Sequence, residues 1–148
     1  WAGSEDANDG SFMKNATVPV INGCDNTFHP TQALADMLTL YEKTGHFEAK
    51  VLYIGAKNNT YNSLSEIVTK MGGMMYGLTP FSQITNVPAD FYNKLTATGH
   101  YKELPTDISK EDLKKVVADV DCVYTDTWST WNSSPIRTMP KRRTISST

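Results

Sequence analysis

Three short apolar segments constrain the fold of this chain more than any other feature of its sequence. They are Val51-Leu52-Tyr53-Ile54, Met74-Met75-Tyr76-Gly77-Leu78 and Cys122-Val123-Tyr124-Thr125, and helical patterns lie between them. Apolar runs of this length, bounded by Gly, Pro or polar residues, are typical of buried strands. Strands that alternate with helices form a parallel sheet through right-handed crossovers. The sequence therefore predicts an α/β fold, a Rossmann-like parallel sheet with helices on both faces, in which the last segment is a third interior strand.

The clearest helical pattern begins at Pro30, a residue that is tolerated in a first helical turn. Leu34, Met37 and Leu38 recur within the pattern at helical spacing, and Gly45 closes it. Weaker patterns predict a strand at 18–21 and helices near 61–71 and 89–98. A capping box at 109–112 predicts the start of a further helix, which runs through Val117.

Length and composition bound the remaining possibilities. The chain has 148 residues and fits one domain, and its 39% hydrophobic and 20% charged residues are ordinary for a globular protein. Its net charge of -2 indicates no nucleic-acid partner, and no run approaches the ~20 apolar residues of a membrane span. We expect a cytoplasmic protein without membrane partners, in which Cys24 and Cys122 are free thiols.

We divide the chain into three parts by composition. Residues 1–17 are a lead-in that we expect to be poorly ordered, and residues 18–131 are the α/β domain. Residues 132–148 are a basic tail or a truncated continuation. All three arginines, Arg137, Arg142 and Arg143, lie in this last part.

Polar residues follow the predicted strands where a parallel α/β sheet binds its ligands. The loops after Ile54, Leu78 and Thr125 would lie at the carboxyl edge of the sheet, which is the usual ligand position. Asn58 and Asn59 follow the first of these strands, and Asp126 follows the last. Helix capping by the asparagines and a backbone hydrogen bond of the aspartate are the structural alternatives.

His29 and Gln32 form a second candidate pair at the start of the predicted helix that begins at Pro30. Residues three apart on a helix share a face, and free backbone N–H groups at a helix start favour anions. Both side chains can therefore face one ligand. The alternative is that His29 caps the helix and Gln32 is a solvated surface residue.

The stretch from Val18 to Thr39 resembles the aspartate/ornithine carbamoyltransferase family, in which Val-Pro-Val-x-Asn-Gly leads to His-Pro-x-Gln and Leu-Ala-Asp-x-Leu-Thr. Tyr53-Ile54-Gly55-Ala56-Lys57-Asn58-Asn59 resembles the family's Gly-Asp-x-Asn-Asn loop, and Tyr124-Thr125-Asp126-Thr127-Trp128 resembles its Thr-Asp-x-Trp loop. The last two motifs favour the ornithine branch. The resemblance identifies 18–131 as an ornithine-binding-type domain, the incomplete second domain of a carbamoyltransferase, with an interdomain helix near 29–44.

The resemblance implies a role for each matched residue. His29 and Gln32 would bind carbamoyl phosphate at the carbamoyl group, His29 at the carbonyl oxygen and Gln32 at the amide nitrogen, as the catalytic residues. Asn59 would hold the α-amino or α-carboxylate group of ornithine, and Asp126 would pair with its α-ammonium group. A donor at the carbonyl oxygen would stabilise the charge that develops during attack on the carbonyl carbon.

The chain departs from the family pattern at three places. Thr130 and Trp131 stand where the ornithine enzymes carry serine and methionine, so they complete the implied ornithine site but leave putrescine or another amine open as the substrate. Ala56 replaces the aspartate of the Gly-Asp loop. The family's Ser-x-Arg-Thr-Arg phosphate loop and His-Cys-Leu-Pro segment do not occur in this sequence.

The expected function is therefore transfer of a carbamoyl group from carbamoyl phosphate to the δ-amine of ornithine, giving citrulline and phosphate. The family implies a homotrimer and no metal or organic cofactor. One rival is a non-catalytic amino-acid-binding or assembly module. A generic nucleotide-binding domain is a weaker rival, because no Gly-rich fingerprint follows the first strand.

Overall fold

The computed structural model describes residues 15–82 and 87–126, and these residues form a parallel sheet flanked by helices. The elements in chain order are α1 (Pro30–Thr44), β1 (Lys50–Lys57), α2 (Asn59–Lys70), β2 (Met74–Ser82), α3 (Phe91–Ala97), β3 (Tyr101–Glu103), α4 (Lys110–Asp119) and β4 (Cys122–Thr125). This alternation confirms the predicted α/β class.

The four described strands lie in the order β3-β2-β1-β4, and every neighbouring pair is parallel. The chain steps outward from β1 through β2 to β3, and α4 then carries it back to the other side of β1. Because parallel crossovers are right-handed, α2 and α3 cover one face and α4 covers the other. The reversal of direction lies between β1 and β4, which makes their carboxyl ends the switch point of this sheet.

The hydrophobic core lies around β1 and α2. Val51, Leu52 and Tyr53 are consecutive and fully buried, and successive strand residues point to opposite faces, so both faces of β1 are covered. Tyr61 and Leu64 of α2 are also fully buried against the sheet. The tight core fixes β1 and the start of α2, and therefore fixes the loop that joins them.

The helix that follows Pro30 forms as predicted. Pro30 occupies the first turn of α1, and Gly45 ends the helix in the left-handed conformation with φ 81°. Its N–H donates to the carbonyl of Tyr41 at 2.8 Å. A residue without a Cβ adopts this conformation at little cost, which explains why the pattern stops at a glycine.

Three strand predictions are corrected by the structure. Residues 18–21 form no strand, and Val18 and Ile21 are exposed, since none of the four described strands pairs with this run. Among the described strands β4 lies at the edge of the sheet and is not interior. β2 does not end before Pro80 but continues to Ser82. Proline cannot donate a hydrogen bond to a neighbouring strand, and β3 pairs with β2 only at Met75–Gly77, so no bond from Pro80 to β3 is required.

The sequence patterns missed β3. The strand is only three residues long and carries Lys102 and Glu103, so it lacks an apolar run. It is held as a strand by pairing with β2 and by Tyr101, which packs into the core.

Candidate functional site

Asn58 and Asp126 meet at the switch point of the sheet. Asn58 follows the last residue of β1, and Asp126 follows the last residue of β4. The Asn58 Nδ2 donates a hydrogen bond of 2.8 Å to Asp126 Oδ2. The two strands pair from Val51 with Cys122 to Ile54 with Thr125, where β4 ends, and β1 runs on to Lys57 before the chain reaches Asn58.

The Asn58 side chain uses both ends of its amide. Its Oδ1 accepts the backbone N–H of Tyr61 at 3.0 Å and so caps α2, while its Nδ2 donates to Asp126. The orientation of the amide is therefore fixed by one donor and one acceptor, and the side chain is buried. Capping and the contact with Asp126 are both present, so the capping alternative does not exclude a role at the site.

Tyr53 borders Asp126 from the core. Its hydroxyl donates to the Ala56 carbonyl at 2.8 Å and lies 3.4 Å from Asp126 Oδ2. Burial, and then the negative charge of Asp126, raise the pKa of Tyr53 well above its ordinary value. Tyr53 is thus a neutral donor at physiological pH and does not act as a base.

A polar face of α2 holds the segment that precedes α1. Asn59, Asn62 and Ser63 lie at i, i+3 and i+4, and hence on one side of the helix. Asn59 Nδ2 donates to the Asp25 carbonyl at 2.6 Å, Asn62 Nδ2 donates to the Thr27 carbonyl at 2.7 Å, and Ser63 Oγ accepts the His29 N–H at 2.8 Å. The backbone of His29 is therefore positioned by the same helix start that carries Asn58.

Asp25 closes this segment into a local turn. Its carboxylate accepts the backbone N–H of Thr27 at 2.7 Å and of Phe28 at 2.6 Å, and it also accepts the Asn22 amide at 2.9 Å. An aspartate that bonds the backbone N–H groups two and three residues ahead forms an Asx turn. The turn directs the chain into α1 at His29.

Cys24 is a thiol beside Asn59, whose Nδ2 lies 3.4 Å from the sulfur. Burial raises the pKa of Cys24, the hydrogen bond from Asn59 opposes this, and the charge of Asp25 raises the pKa further. The thiol stays protonated at neutral pH, so it is a poor nucleophile.

His29 occupies the N-cap position of α1 but makes no side-chain capping bond. Its Nδ1 lies 3.4 Å from Thr31 Oγ1, and that hydroxyl donates to the Gly23 carbonyl at 2.6 Å. Because the hydroxyl proton is directed at Gly23, a bond between His29 and Thr31 requires the proton on Nδ1. The imidazole is half-buried at the helix start.

Gln32 is held one turn further along α1, where its Nε2 donates to Asp36 Oδ1 at 2.9 Å. Within the described residues neither His29 nor Gln32 hydrogen-bonds to Asn59 or Asp126. The site therefore consists of two groups: the pair Asn58 and Asp126 at the strand ends, and the pair His29 and Gln32 at the start of α1. The start of α2 joins them, since it contacts both.

The resemblance places Asn59 and Asp126 in one ornithine site. Within the described residues no hydrogen bond joins these two side chains, and Asn58 is the asparagine that bonds to Asp126. Thr130 and Trp131 lie outside the described residues. Ala56 is fully buried, and its carbonyl accepts the Tyr53 hydroxyl.

Sequence reasoning also missed Asn62 and Ser63. The sequence did carry an indication of their role, because polar residues recur at helical spacing after Asn59 on a helix whose other face is apolar. Their partners are backbone atoms in another segment, which no side-chain pattern reveals.

A groove of about 390 Å³ lies between α1 and α2. Its apolar lining includes Phe28, Ala33, Leu34 and Ile67. His29, Gln32, Asn59 and Asp126 do not line this groove, so it is a separate surface feature. Within residues 15–82 and 87–126 no three His, Cys, Asp or Glu side chains converge as a metal site requires.

Two family models match the chain in sequence order. Residues 3–42 match the carbamoyl-P binding domain of aspartate/ornithine carbamoyltransferase, and residues 48–144 match the Asp/Orn binding domain of the same family. The chain belongs to this family. His29 and Gln32 fall within the carbamoyl-P match, whereas Asn58, Asn59 and Asp126 fall within the Asp/Orn match.

Curated members of the family are similar to the chain across most of its length. The ornithine carbamoyltransferase of Methanobrevibacter smithii is 40% identical over 118 residues, which cover 79% of this chain and 38% of that protein. The anabolic ornithine carbamoyltransferase of Pyrococcus furiosus is 37% identical over 122 residues, which cover 80% of this chain and 37% of that protein. The chain thus spans less than two fifths of the length of these relatives.

Solved carbamoyltransferase structures share the fold. The Pyrococcus furiosus ornithine carbamoyltransferase superposes with a TM-score of 0.66 at 34% identity, over 81% of this chain and 38% of that one. The mitochondrial ornithine carbamoyltransferase of Coccidioides immitis gives a TM-score of 0.64 at 28% identity, over 86% and 42%. No helix of the described residues is long and apolar enough to cross a bilayer.

Proposed function

We propose that this family member contributes the amino-acid site and part of the carbamoyl site of an ornithine carbamoyltransferase. The observation that carries the proposal is the meeting of Asn58 and Asp126 at the switch point between β1 and β4. Open α/β sheets bind their ligands at this position. Family membership and the names of the relatives support carbamoyl transfer, with ornithine as the acceptor.

Asp126 would pair with the α-ammonium group of ornithine. Its Oδ2 accepts the amide of Asn58, and a carboxylate has further lone pairs for a charged donor. A charge-assisted hydrogen bond is stronger than a neutral one and distinguishes an amino acid from a simple amine. The position of Asp126 at a strand end keeps the carboxylate at the sheet edge, where a ligand can reach it.

Asn59 would contribute an acceptor to the same group. Both of its amide donors are used, since Nδ2 contacts the Asp25 carbonyl and the Cys24 sulfur. Among the residues that the structure describes, its Oδ1 accepts only the adjacent Thr60 N–H, and a carbonyl oxygen can accept two hydrogen bonds. This arrangement favours the α-amino group over the α-carboxylate as the partner of Asn59. Thr130 and Trp131 would contact the remaining part of the amine substrate.

His29 and Gln32 would bind the carbamoyl group. The imidazole would donate to the carbonyl oxygen from Nε2, in the tautomer whose Nδ1 carries no proton and makes no bond to Thr31. The carboxamide oxygen of Gln32 would accept from the carbamoyl NH₂. The neutral δ-amine of ornithine attacks the carbonyl carbon, a C–N bond forms, and the C–O bond to phosphate breaks. The amine proton leaves with phosphate. Catalysis of this kind depends on positioning and on stabilising the developing oxyanion.

Calorimetry and product analysis on this polypeptide test the proposal. We expect ornithine to bind, and we expect citrulline to form when the carbamoyl-phosphate-binding part of the enzyme is present together with carbamoyl phosphate. Failure of ornithine to bind this chain would overturn the assignment of the amino-acid site. Stronger binding of putrescine than of ornithine would move the proposal to another amine.

A non-catalytic amino-acid-binding module is the second candidate. It is favoured by the arginine distribution, because Arg137, Arg142 and Arg143 are the only arginines of this sequence and bidentate guanidinium groups commonly bind phosphate. Ornithine binding without citrulline formation, in the full-length protein that carries this sequence, would support the module.

Location and assembly are proposed from the family alone. We propose a cytoplasmic homotrimer for the complete protein. Sedimentation analysis of the complete protein would test the trimer, and a monomer at micromolar concentration would contradict it.

A further inference from the structure

The amide of Gln32 has a defined orientation because its partner is a carboxylate. Asp36 lies four residues further along α1, and its Oδ1 accepts Gln32 Nε2 at 2.9 Å. An ionised carboxylate only accepts hydrogen bonds, so the NH₂ end of the amide must face it. The Oε1 end is consequently turned away from Asp36, and within the described residues it accepts no hydrogen bond.

Asp36 is held in an unusual setting for a helix-surface aspartate. Its Oδ2 is buried. Tyr124 and Cys122 of β4 lie close to the carboxylate. Burial, the charge of Asp36 and a hydrogen bond with Asp36 raise the pKa of Tyr124, and burial and the charge of Asp36 raise the pKa of Cys122. Both neighbours are therefore neutral at physiological pH and do not neutralise its charge.

We propose that Asp36 is a positioning residue that fixes the Gln32 amide with Oε1 presented to the NH₂ group of the carbamoyl donor. The proposal rests on the proposed function, which places the carbamoyl group at Gln32. A flipped amide would direct N–H groups of Gln32 at N–H groups of the ligand. Fixing the amide therefore favours a ligand that ends in NH₂ over one that ends in a methyl group of similar size.

The test uses the full-length protein that carries this sequence and compares two stable ligands that differ only at this group. Phosphonoacetamide carries the NH₂ group, and acetonylphosphonate carries a methyl group in its place. The variants are Asp36→Leu, which keeps the branched side-chain shape and removes the acceptor, and Asp36→Asn, which permits both amide orientations. Asp90→Asn is the matched control, because Asp90 pairs with Lys94 four residues on, in α3.

We expect wild type to bind phosphonoacetamide more tightly than acetonylphosphonate. Asp36→Leu should weaken phosphonoacetamide binding about tenfold, the loss of one buried hydrogen bond, and should leave acetonylphosphonate binding within about twofold. Asp36→Asn should fall between wild type and Asp36→Leu, and Asp90→Asn should match wild type. Equal weakening of both ligands in Asp36→Leu would overturn the proposal and indicate a structural role.

A second readout in the free protein does not depend on ligand binding. Side-chain amide protons of Gln32 should exchange with water more slowly than those of Asn93, which is exposed on α3. Asp36→Leu should raise the Gln32 exchange rate to that of Asn93, and an unchanged rate would overturn the proposal. Failure of wild type to bind either phosphonate would instead count against the proposed carbamoyl site, while the exchange measurement still judges the contact of Asp36 with Gln32.

Discussion

Asn58 joins the ends of two strands, because its side-chain amide caps α2 with one atom and donates to Asp126 at 2.8 Å with the other. A helix cap and a ligand-site carboxylate are thereby fixed by one residue. The capping bond alone would tolerate Ser, Thr or Asp at this position, since all accept a backbone N–H. The donation to Asp126 requires the amide.

Asn58→Ser separates these two roles. Serine retains the cap of α2 but removes the donor to Asp126, so the carboxylate is no longer held in one orientation. We predict that ornithine affinity falls about tenfold, corresponding to the loss of one charge-assisted hydrogen bond. Isothermal calorimetry measures the affinity.

The matched control for that change is Ser109→Ala in α4. Ser109 caps α4 by accepting the Asp112 N–H at 3.1 Å, far from the strand ends in sequence. Its loss should lower the free energy of unfolding by about 1 kcal/mol and leave ornithine affinity unchanged. Wild-type affinity in Asn58→Ser would refute the role of Asn58 at the site.

Gly77→Ala tests the packing between β2 and α2. A Cβ at Gly77 would clash with the hydroxyl oxygen of Tyr61, which is fully buried and hydrogen-bonded to the Tyr101 hydroxyl at 2.9 Å. Overpacking of this kind costs about 1–3 kcal/mol, and urea unfolding measures it. Gly23→Ala is the control, since an added Cβ there meets no atom within 4 Å. Equal stability of the two variants would show that Tyr61 moves aside freely.

The Lys57 ion pair with Glu103 predicts an acid-dependent stability term. Burial raises the pKa of Glu103, but hydrogen bonds from Lys57 and Tyr101 outweigh burial and leave the pKa below its ordinary value of 4.5. The unfolded chain then binds the proton more readily than the folded chain. The stabilising contribution is present above pH 4.5 and is lost as the pH falls through the lower, folded value.

Glu103→Gln should therefore flatten the pH dependence of unfolding on the acid side. Between about pH 5 and pH 3 its free energy of unfolding should decrease less than that of wild type, as followed by urea unfolding at each pH. Glu111→Gln, at an exposed position in α4, is the control and should keep the wild-type slope. A wild-type slope in Glu103→Gln would mean that the ion pair contributes nothing in solution.

The sequence was sufficient to predict the fold class because β1 and the start of α2 lie in the core. The run from Val51 to Ile54 is buried or half-buried in the sheet, and such runs are apolar wherever they occur. β3 escaped prediction because it has only three residues, two of them charged, and depends on pairing with β2 for its conformation. The strand predicted at 18–21 is wrong for the opposite reason. This run is apolar, but it pairs with none of the described strands and stays exposed.

Prediction of the site was limited by contacts between distant segments. The motifs singled out Asn59, yet the structure brings Asn58 to Asp126 across 68 residues of sequence. Which of two adjacent asparagines faces a strand end depends on the backbone turn at the start of α2, and their chemistry is identical. The role of Ser63 in holding the His29 N–H was hidden for a related reason, because its partner is a backbone atom 34 residues away.

The central claim is that the ends of β1 and β4 form the amino-acid site, and a titration of the isotope-labelled chain with ornithine, followed by NMR, tests it most directly. We predict that ornithine shifts the amide resonances of Asn58, Asn59 and Asp126, and that Asp126→Asn and Nα-acetylornithine, which lacks the α-ammonium charge, both weaken binding at least tenfold. No binding, or shifts confined to the groove between α1 and α2 around Phe28 and Ile67, would contradict the account.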